Sequence, residues 1–191
     1  MPLAALFWLF GFLSMPFRFF RRNQNAAGSL EQALEQLRTS CFFAPTPWAV
    51  ARQMLELAEV ELQDMLYDLG SGDGRIPIMA AQEFGCRAVG IELDEKLRQH
   101  SAGKATEYGL AEQVTFRGED FFKTDLRDAT VVTLYLLTSV NGHLGPRLAS
   151  QLRKGARVVS LDYEVPGWRA EKSIPVKSEG DVDYVLHLYR R

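Results

Sequence analysis

The chain has 191 residues, 47% hydrophobic and 24% charged, which suits one domain with a substantial buried core. Its net charge of −2 argues against a protein that grips a nucleic-acid backbone over a wide surface, because such surfaces are basic. Two cysteines, Cys41 and Cys86, with no Cys-x-x-Cys and no nearby histidine pair, leave a zinc site without support and fit a reducing compartment.

Residues 1–17 carry no charged side chain, and Arg18, Arg21 and Arg22 follow, interleaved with Phe19 and Phe20. A bilayer span needs about 20 apolar residues, with about 17 the lower limit, so the segment is marginal as a span and ample as an interfacial anchor. A cleaved secretory signal carries positive charge ahead of its apolar stretch, whereas here the charge comes behind it. Arginines in that position keep the following domain on the cytoplasmic side. Residues 1–22 are therefore read as a membrane anchor, with a buried or partner-packed helix as the alternative.

Residues 23–40 read as a polar linker and a short helix. Ser29 and Gln32 make a capping box, and Leu30, Leu34 and Leu37 repeat at helical spacing over 30–38. The folded domain then covers 41–191. Phe42 to Pro47 must be extended, because each proline disfavours helix in the residue before it. Thr46 can cap, and Pro47 can open, a helix running to about Ala58 with Trp48, Ala51, Met54, Leu55 and Ala58 inward.

Strands and helices alternate from there. Strands are expected at 65–69, 87–92, 114–117, 130–137 and 156–162. Helices are expected at 75–84 (stopped by Gly85), from the cap Asp94 to Tyr108 (stopped by Gly109), and at 144–153. Two late strands, near 169–176 and 184–189, close the chain as an antiparallel edge. The pattern predicts an α/β fold: a doubly wound, mostly parallel sheet of about seven strands.

Chemistry concentrates in Asp68-Leu-Gly70-Ser-Gly72-Asp73-Gly74 and in Glu92, eighteen residues past Gly74. Strand, glycine loop, helix, strand and carboxylate is the order a nucleoside pocket needs at the edge of a parallel sheet. A dinucleotide loop places its last glycine three residues after the second, to seat a pyrophosphate at a helix N-terminus. Here the glycines alternate, and Asp68 and Asp73 would repel a pyrophosphate. They suit a ligand carrying an ammonium and a sulfonium. Glu92 is placed to accept from ribose hydroxyls, with Leu93 against the adenine. Asp120, with Phe121 beside it, either accepts from the adenine amino group or belongs to a solvated acidic turn.

These features resemble the class I S-adenosylmethionine-dependent methyltransferases. Pro45-Thr46-Pro47, residues 67–76 and 90–94, Ala129-Thr-Val-Val-Thr-Leu-Tyr-Leu-Leu137 and residues 155–159 narrow the likeness to the small protein-lysine methyltransferases. That group includes a broad-specificity archaeal enzyme and mitochondrial enzymes acting on the adenine nucleotide translocase and the ATP synthase c-subunit. The resemblance covers about 42–168 and makes 41–191 a Rossmann-like methyltransferase domain.

It implies S-adenosyl-L-methionine as co-substrate, no metal, and a protein lysine as acceptor, with membrane proteins within reach of an anchored enzyme. Asp68, Gly70 and Gly72 would hold the methionine end, Glu92 the ribose and Asp120 the adenine, with Thr46 closing the pocket. Residues 135–141 would receive the acceptor. They lack the Asn-Pro-Pro-Tyr-type sequence that holds planar amino groups. Tyr135 is either a wall of the acceptor channel or packing of a buried strand, and Thr138 and Asn141 are polar contacts beside it. Trp168 lines the same mouth or packs at the edge. Arg153, Lys154 and Arg157 read as a solvated helix end. The alternatives are a methyltransferase acting on a small molecule or RNA, and a cofactor-binding module without turnover.

Overall fold

The structure, a computed structural model, describes residues 44–191. The expected anchor at 1–22, the linker and helix of 23–40, and Phe42-Phe43 lie outside the described residues. Elements run in the order α1 (Trp48–Leu57), β1 (Met65–Leu69), α2 (Arg75–Phe84), β2 (Arg87–Ile91), α3 (Glu95–Glu107), β3 (Val114–Arg117), β4 (Val131–Leu134), α4 (Thr138–Gln151), β5 (Arg157–Leu161), β6 (Lys172–Lys177) and β7 (Asp183–Arg190).

The seven strands form one sheet in the order β3-β2-β1-β4-β5-β7-β6. The first five are parallel, and β7 runs antiparallel between β5 and β6. Chain order reverses between β1 and β4, so the crevice of the sheet opens beyond the carboxyl ends of these two strands. One face packs against α1 and α2 through Val50, Met54, Leu55, Ile76, Ile78, Leu66, Val131, Val159 and Leu186. The alternate residues Val132, Leu134, Val158 and Tyr189 are buried as well, as are Val140, Leu144 and Leu148 of α4. Strands buried on both faces explain the continuous apolar runs that replace alternation here.

Several boundaries follow from backbone chemistry. Gly74 and Gly85 bracket α2 in left-handed conformation, and Asp94 caps α3 by accepting from the Lys96 and Leu97 amides. Others depart from expectation. Pro47, not Thr46, is the residue before α1, and no side chain caps it. Trp48 is 48% exposed rather than inward, and the Arg75 guanidinium lies over its ring, 5.0 Å from the centroid.

The fourth strand stops at Leu134, and α4 begins at Thr138, six residues before its predicted start. Gly142, Gly145 and Pro146 all lie inside this helix. A Cβ on Gly145 would sit 3.4 Å from Val165 Cγ1 and 3.6 Å from the Pro166 carbonyl oxygen. Gly145 thus faces the 165–168 turn from inside the helix, at a distance where a Cβ would make ordinary contact, and it does not reverse the chain.

Candidate active site

β3, β2, β1 and β4 end side by side, with Leu69 level with Ile91 and Leu134, and Ile91 level with Arg117. Asp68 therefore shares one sheet edge with Glu92, Asp120 and Tyr135.

Asp68 is 4% exposed, and its Oδ1 accepts from the Thr133 hydroxyl at 2.7 Å. Burial pushes its carboxyl up to about 7; the Thr133 hydrogen bond opposes this, and the negative fields of Glu92 and Asp73 add to it. No described cation pairs with it. A buried carboxyl surrounded by like charge is a poor structural group and a good receptor for a cation.

The loop after Asp68 is tied to β2. The amides of Gly70 and Ser71 both donate to the Ile91 carbonyl, at 2.9 and 3.0 Å. The Gly72 amide donates to Glu92 Oε2 at 2.9 Å, and the Asp94 amide donates to Glu92 Oε1 at 2.8 Å. Glu92 thus joins the loop to the start of α3, and one amide on each oxygen leaves lone pairs for further donors. Leu93 beside it is 50% exposed. Gly74 is irreplaceable on two counts. Its φ is +76°, and a Cβ there would sit 2.6 Å from Phe116 Cζ and 2.7 Å from Ser101 Cβ.

Asp73 differs from Asp68. Burial raises its carboxyl, but the hydrogen bonds and charge of Arg75 outweigh this and hold it below the usual range. Arg75 donates from Nε to Asp73 Oδ1 at 2.9 Å and from Nη2 to Oδ2 at 2.6 Å. Its Nη1 reaches the Thr46 carbonyl at 2.6 Å. Asp73 therefore offers little free charge to a ligand, contrary to the expectation. Arg75, not singled out in the sequence, instead holds buried Thr46 to the glycine loop. Its position two residues after a loop aspartate was the available signal. Thr133 was likewise missed, although a hydroxyl inside Val-Val-Thr-Leu was a visible anomaly.

Asp120 Oδ1 accepts from the Phe122 amide at 2.9 Å, which makes a turn, and Phe121 and Phe122 are buried with ring centroids 4.7 Å apart. Tyr135 is half-buried and stacks on Tyr163, with centroids 6.3 Å apart and planes at 29°. Thr138 is exposed in the first turn of α4.

Asn141 is fully buried. Its Nδ2 donates to the Tyr163 carbonyl at 3.0 Å, the Glu164 carbonyl at 3.3 Å and Ser160 Oγ at 3.2 Å. It clamps α4 to the chain leaving β5 and is not an open polar contact. Trp168 packs edge-on against Tyr189 at 6.1 Å. Arg157 is no solvated helix end: it forms an ion pair with Asp64, with both side chains largely buried. Among the described residues, no group of three or more metal-ligating side chains comes together.

A family model described as the ANTKMT methyltransferase domain matches residues 68–172. A protein-lysine N-methyltransferase of Saccharolobus islandicus is 40% identical over 148 residues, covering 77% of this chain and 91% of that protein. An adenine nucleotide translocase lysine N-methyltransferase of Mus musculus is 39% identical over 105 residues, 54% of this chain and 45% of its own length. Among solved structures, an RNA methyltransferase from Salinibacter ruber in complex with S-adenosyl-L-homocysteine is 46% identical. It has a TM-score of 0.72 and covers 77% of this chain and 93% of that one.

Proposed function

The chain belongs to the ANTKMT methyltransferase domain family, and on that premise we infer that it transfers a methyl group from S-adenosylmethionine to the side-chain amine of a protein lysine. The single observation that carries the reading is Asp68, a buried carboxyl at the head of a glycine loop with no cation paired to it among the described residues. It fits the ammonium of the co-substrate's methionine end. The acceptor class follows the likeness to the archaeal protein-lysine enzyme.

When bound, S-adenosylmethionine supplies an electrophilic methyl carbon. Asp68, with the close backbone turn through Gly70 and Gly72, holds the amino-acid end. Glu92 accepts from the ribose, Asp120 accepts from the adenine, and Leu93 covers its face. Thr46, held by Arg75, closes the pocket. The protein's task is then to present the acceptor nitrogen in line at about 3 Å and in its neutral form. A free lysine has a pKa of about 10.4, and burial in an aromatic channel beside a cation lowers it, so no dedicated base is required. Tyr135 forms the channel wall and Thr138 the polar rim, and Asn141 acts from behind by fixing the 160–164 chain.

We further infer that residues 1–22 attach the enzyme to the cytoplasmic face of a membrane, which raises the effective concentration of membrane-bound acceptors. The support is the uncharged stretch 1–17 followed by Arg18, Arg21 and Arg22. Among the described residues no helix is long and apolar enough to cross a membrane. Deleting 1–22 should move the protein to the soluble fraction with cofactor affinity intact; a truncated form still sedimenting with membranes would contradict the anchor.

One observation favours a second reading, RNA as acceptor: the Salinibacter structure is described as an RNA methyltransferase. Methyl-labelled cofactor added to lysate separates the two. Label recovered on protein lysines supports the first reading, and label confined to RNA overturns it.

A further inference from the structure

The carboxyl edge holds a second cluster, beyond the cofactor carboxylates. Val131 and Thr133 share one face of β4, and Tyr135 follows one residue past its end: Val131 lies in the α1–α2 core, Thr133 hydrogen-bonds Asp68, and Tyr135 packs against that same core. Residues two apart on a strand are about 7 Å apart along it. Tyr135 therefore stands one step outward from the methionine end of the cofactor site. Tyr163 stacks on it from the chain leaving β5. Between Leu161 and Tyr163, Asp162 turns back onto β7. Its amide donates to the Val185 carbonyl at 2.7 Å, and its Oδ1 accepts from the Val185 amide at 2.9 Å.

This places Asp162 next to Tyr184 and holds it at a φ of +59°, a left-handed conformation that a non-glycine residue keeps only where its surroundings fix it. The Asp162 side chain is exposed, and among the described residues no lysine or arginine pairs with it. Burial, then Asp162, then Tyr184 and Tyr163 push the Tyr135 phenol up to about 12. All three neighbours thus act on the Tyr135 hydroxyl, which stays protonated at any physiological pH.

We propose that the rings of Tyr135, Tyr163 and Tyr184 and the carboxylate of Asp162 form the receiving slot for the acceptor's alkylammonium side chain. The inference rests on the lysine reading of this active site and names the residues that select the acceptor. Half-buried aromatic faces attract a cation while stripping its water, and a rim carboxylate with no lysine or arginine paired to it among the described residues draws it in. The order from rim to interior is Asp162, the phenol rings, Thr133 and Asp68. The charge that attracts the ammonium is therefore kept away from the point where nitrogen must be neutral. Asp162 and Tyr163 act on acceptor binding and not on the chemical step.

The test uses the full chain with S-adenosylhomocysteine and two probes, Nα-acetyl-lysine amide and its Nε-trimethyl counterpart, titrated by ligand-observed NMR. The trimethyl probe is a permanent cation that cannot be methylated, so its binding reads the slot without turnover. It should bind the parent chain and weaken about fivefold in Asp162→Asn and in Tyr163→Leu. Tyr163→Phe, which keeps the ring, should retain affinity. S-adenosylhomocysteine affinity within twofold of the parent certifies the fold of each variant. In lysine methylation assays KM should rise about fivefold in Asp162→Asn, with kcat within twofold. Failure of the parent to bind the trimethyl probe, or equal binding by parent and both slot variants, overturns the slot even if lysine labelling persists. Label entering RNA and no protein removes the lysine reading and this proposal with it.

Discussion

Asp64, one residue before β1, and Asp68, its fourth residue, are 5% and 4% exposed, and each accepts from a threonine hydroxyl, one just before β4 and one within it, at 2.7 Å. Thr130 serves the first and Thr133 the second. The difference is an arginine. Arg157 pairs with Asp64 and also donates to the Ala58 and Glu59 carbonyls at 3.0 and 2.8 Å, and the Glu61 amide donates to Asp64 at 2.8 Å. Asp68 faces Glu92 and Asp73 instead. One end of the strand is electrostatically complete, and the other is left short of one positive charge. A fold that can complete such a site at one end, and does not at the other, has reserved the second for a ligand.

The largest expected effect is at the complete end. Arg157→Met leaves Asp64 buried and unpaired, which should cost about 3–5 kcal/mol in urea unfolding. Cofactor affinity of the folded fraction should stay within twofold. If affinity fell in step with stability, the two ends would not be independent. Removing both charges, in Asp64→Leu with Arg157→Met, should cost less than Arg157→Met alone, because no stranded charge remains.

The incomplete end should respond with the opposite sign. The Asp68 pKa is raised in the folded chain to about 7 from 3.8, so the folded state holds its proton over a range where the unfolded state has lost it. Its contribution to stability is therefore greatest below about pH 4 and is lost as pH rises to about 7. The full amplitude is about 4 kcal/mol at most. Asp68→Asn should remove this slope and make the ligand-free protein more stable at pH 8. Urea titrations at pH 5 and pH 8 on both proteins check it, and an unstabilised Asn variant would mean that Asp68 already has its counter-charge.

That contrast sets the limit of what the sequence could disclose. Segments whose ends are set by local backbone chemistry were legible: 75–84 lies between two left-handed glycines and was placed to the residue. The strand edge bearing Asp68, Glu92 and Asp120 was legible too, because spacing along the chain maps directly onto neighbouring strands. Partnerships across long separations were not. Arg157 and Asp64 are 93 residues apart, and nothing local distinguishes Arg157 from its solvated neighbours. Gly142, Gly145 and Pro146 read as breakers yet lie inside the helix, which therefore starts six residues before its expected place, and Asn141, expected as a polar contact of the acceptor channel, is buried instead against the 160–164 chain. Asp162 has no marker at all, since its conformation is fixed by Val185.

Proton linkage offers a smaller but sharper contrast. A ligand bearing an ammonium favours ionised Asp68, so S-adenosylhomocysteine should bind more tightly as pH rises through about 7 and lose up to about hundredfold from pH 8 to pH 5. Calorimetry in two buffers of different ionisation heat should show proton release near pH 6.5. In Asp68→Asn both the pH dependence and the proton release should vanish.

The finest test lies in Thr133. Its hydroxyl stabilises the ionised form of Asp68 and lowers the carboxyl against burial and two like charges. Thr133→Val keeps the shape of the side chain and removes the donor. The folded-state pKa of Asp68 should then rise further, by about one unit, or about 1.4 kcal/mol. The midpoint of the cofactor's pH dependence should move up by the same amount, while affinity well above that midpoint changes little. Thr130→Val, the matching change at the complete end, should cost stability of similar size, because a donor to a buried charged pair is lost. It should leave the pH midpoint where it was, since Asp64 keeps its arginine. A shifted midpoint in Thr130→Val, or an unmoved one in Thr133→Val, would show that the Thr133 hydroxyl is not what holds the Asp68 midpoint down.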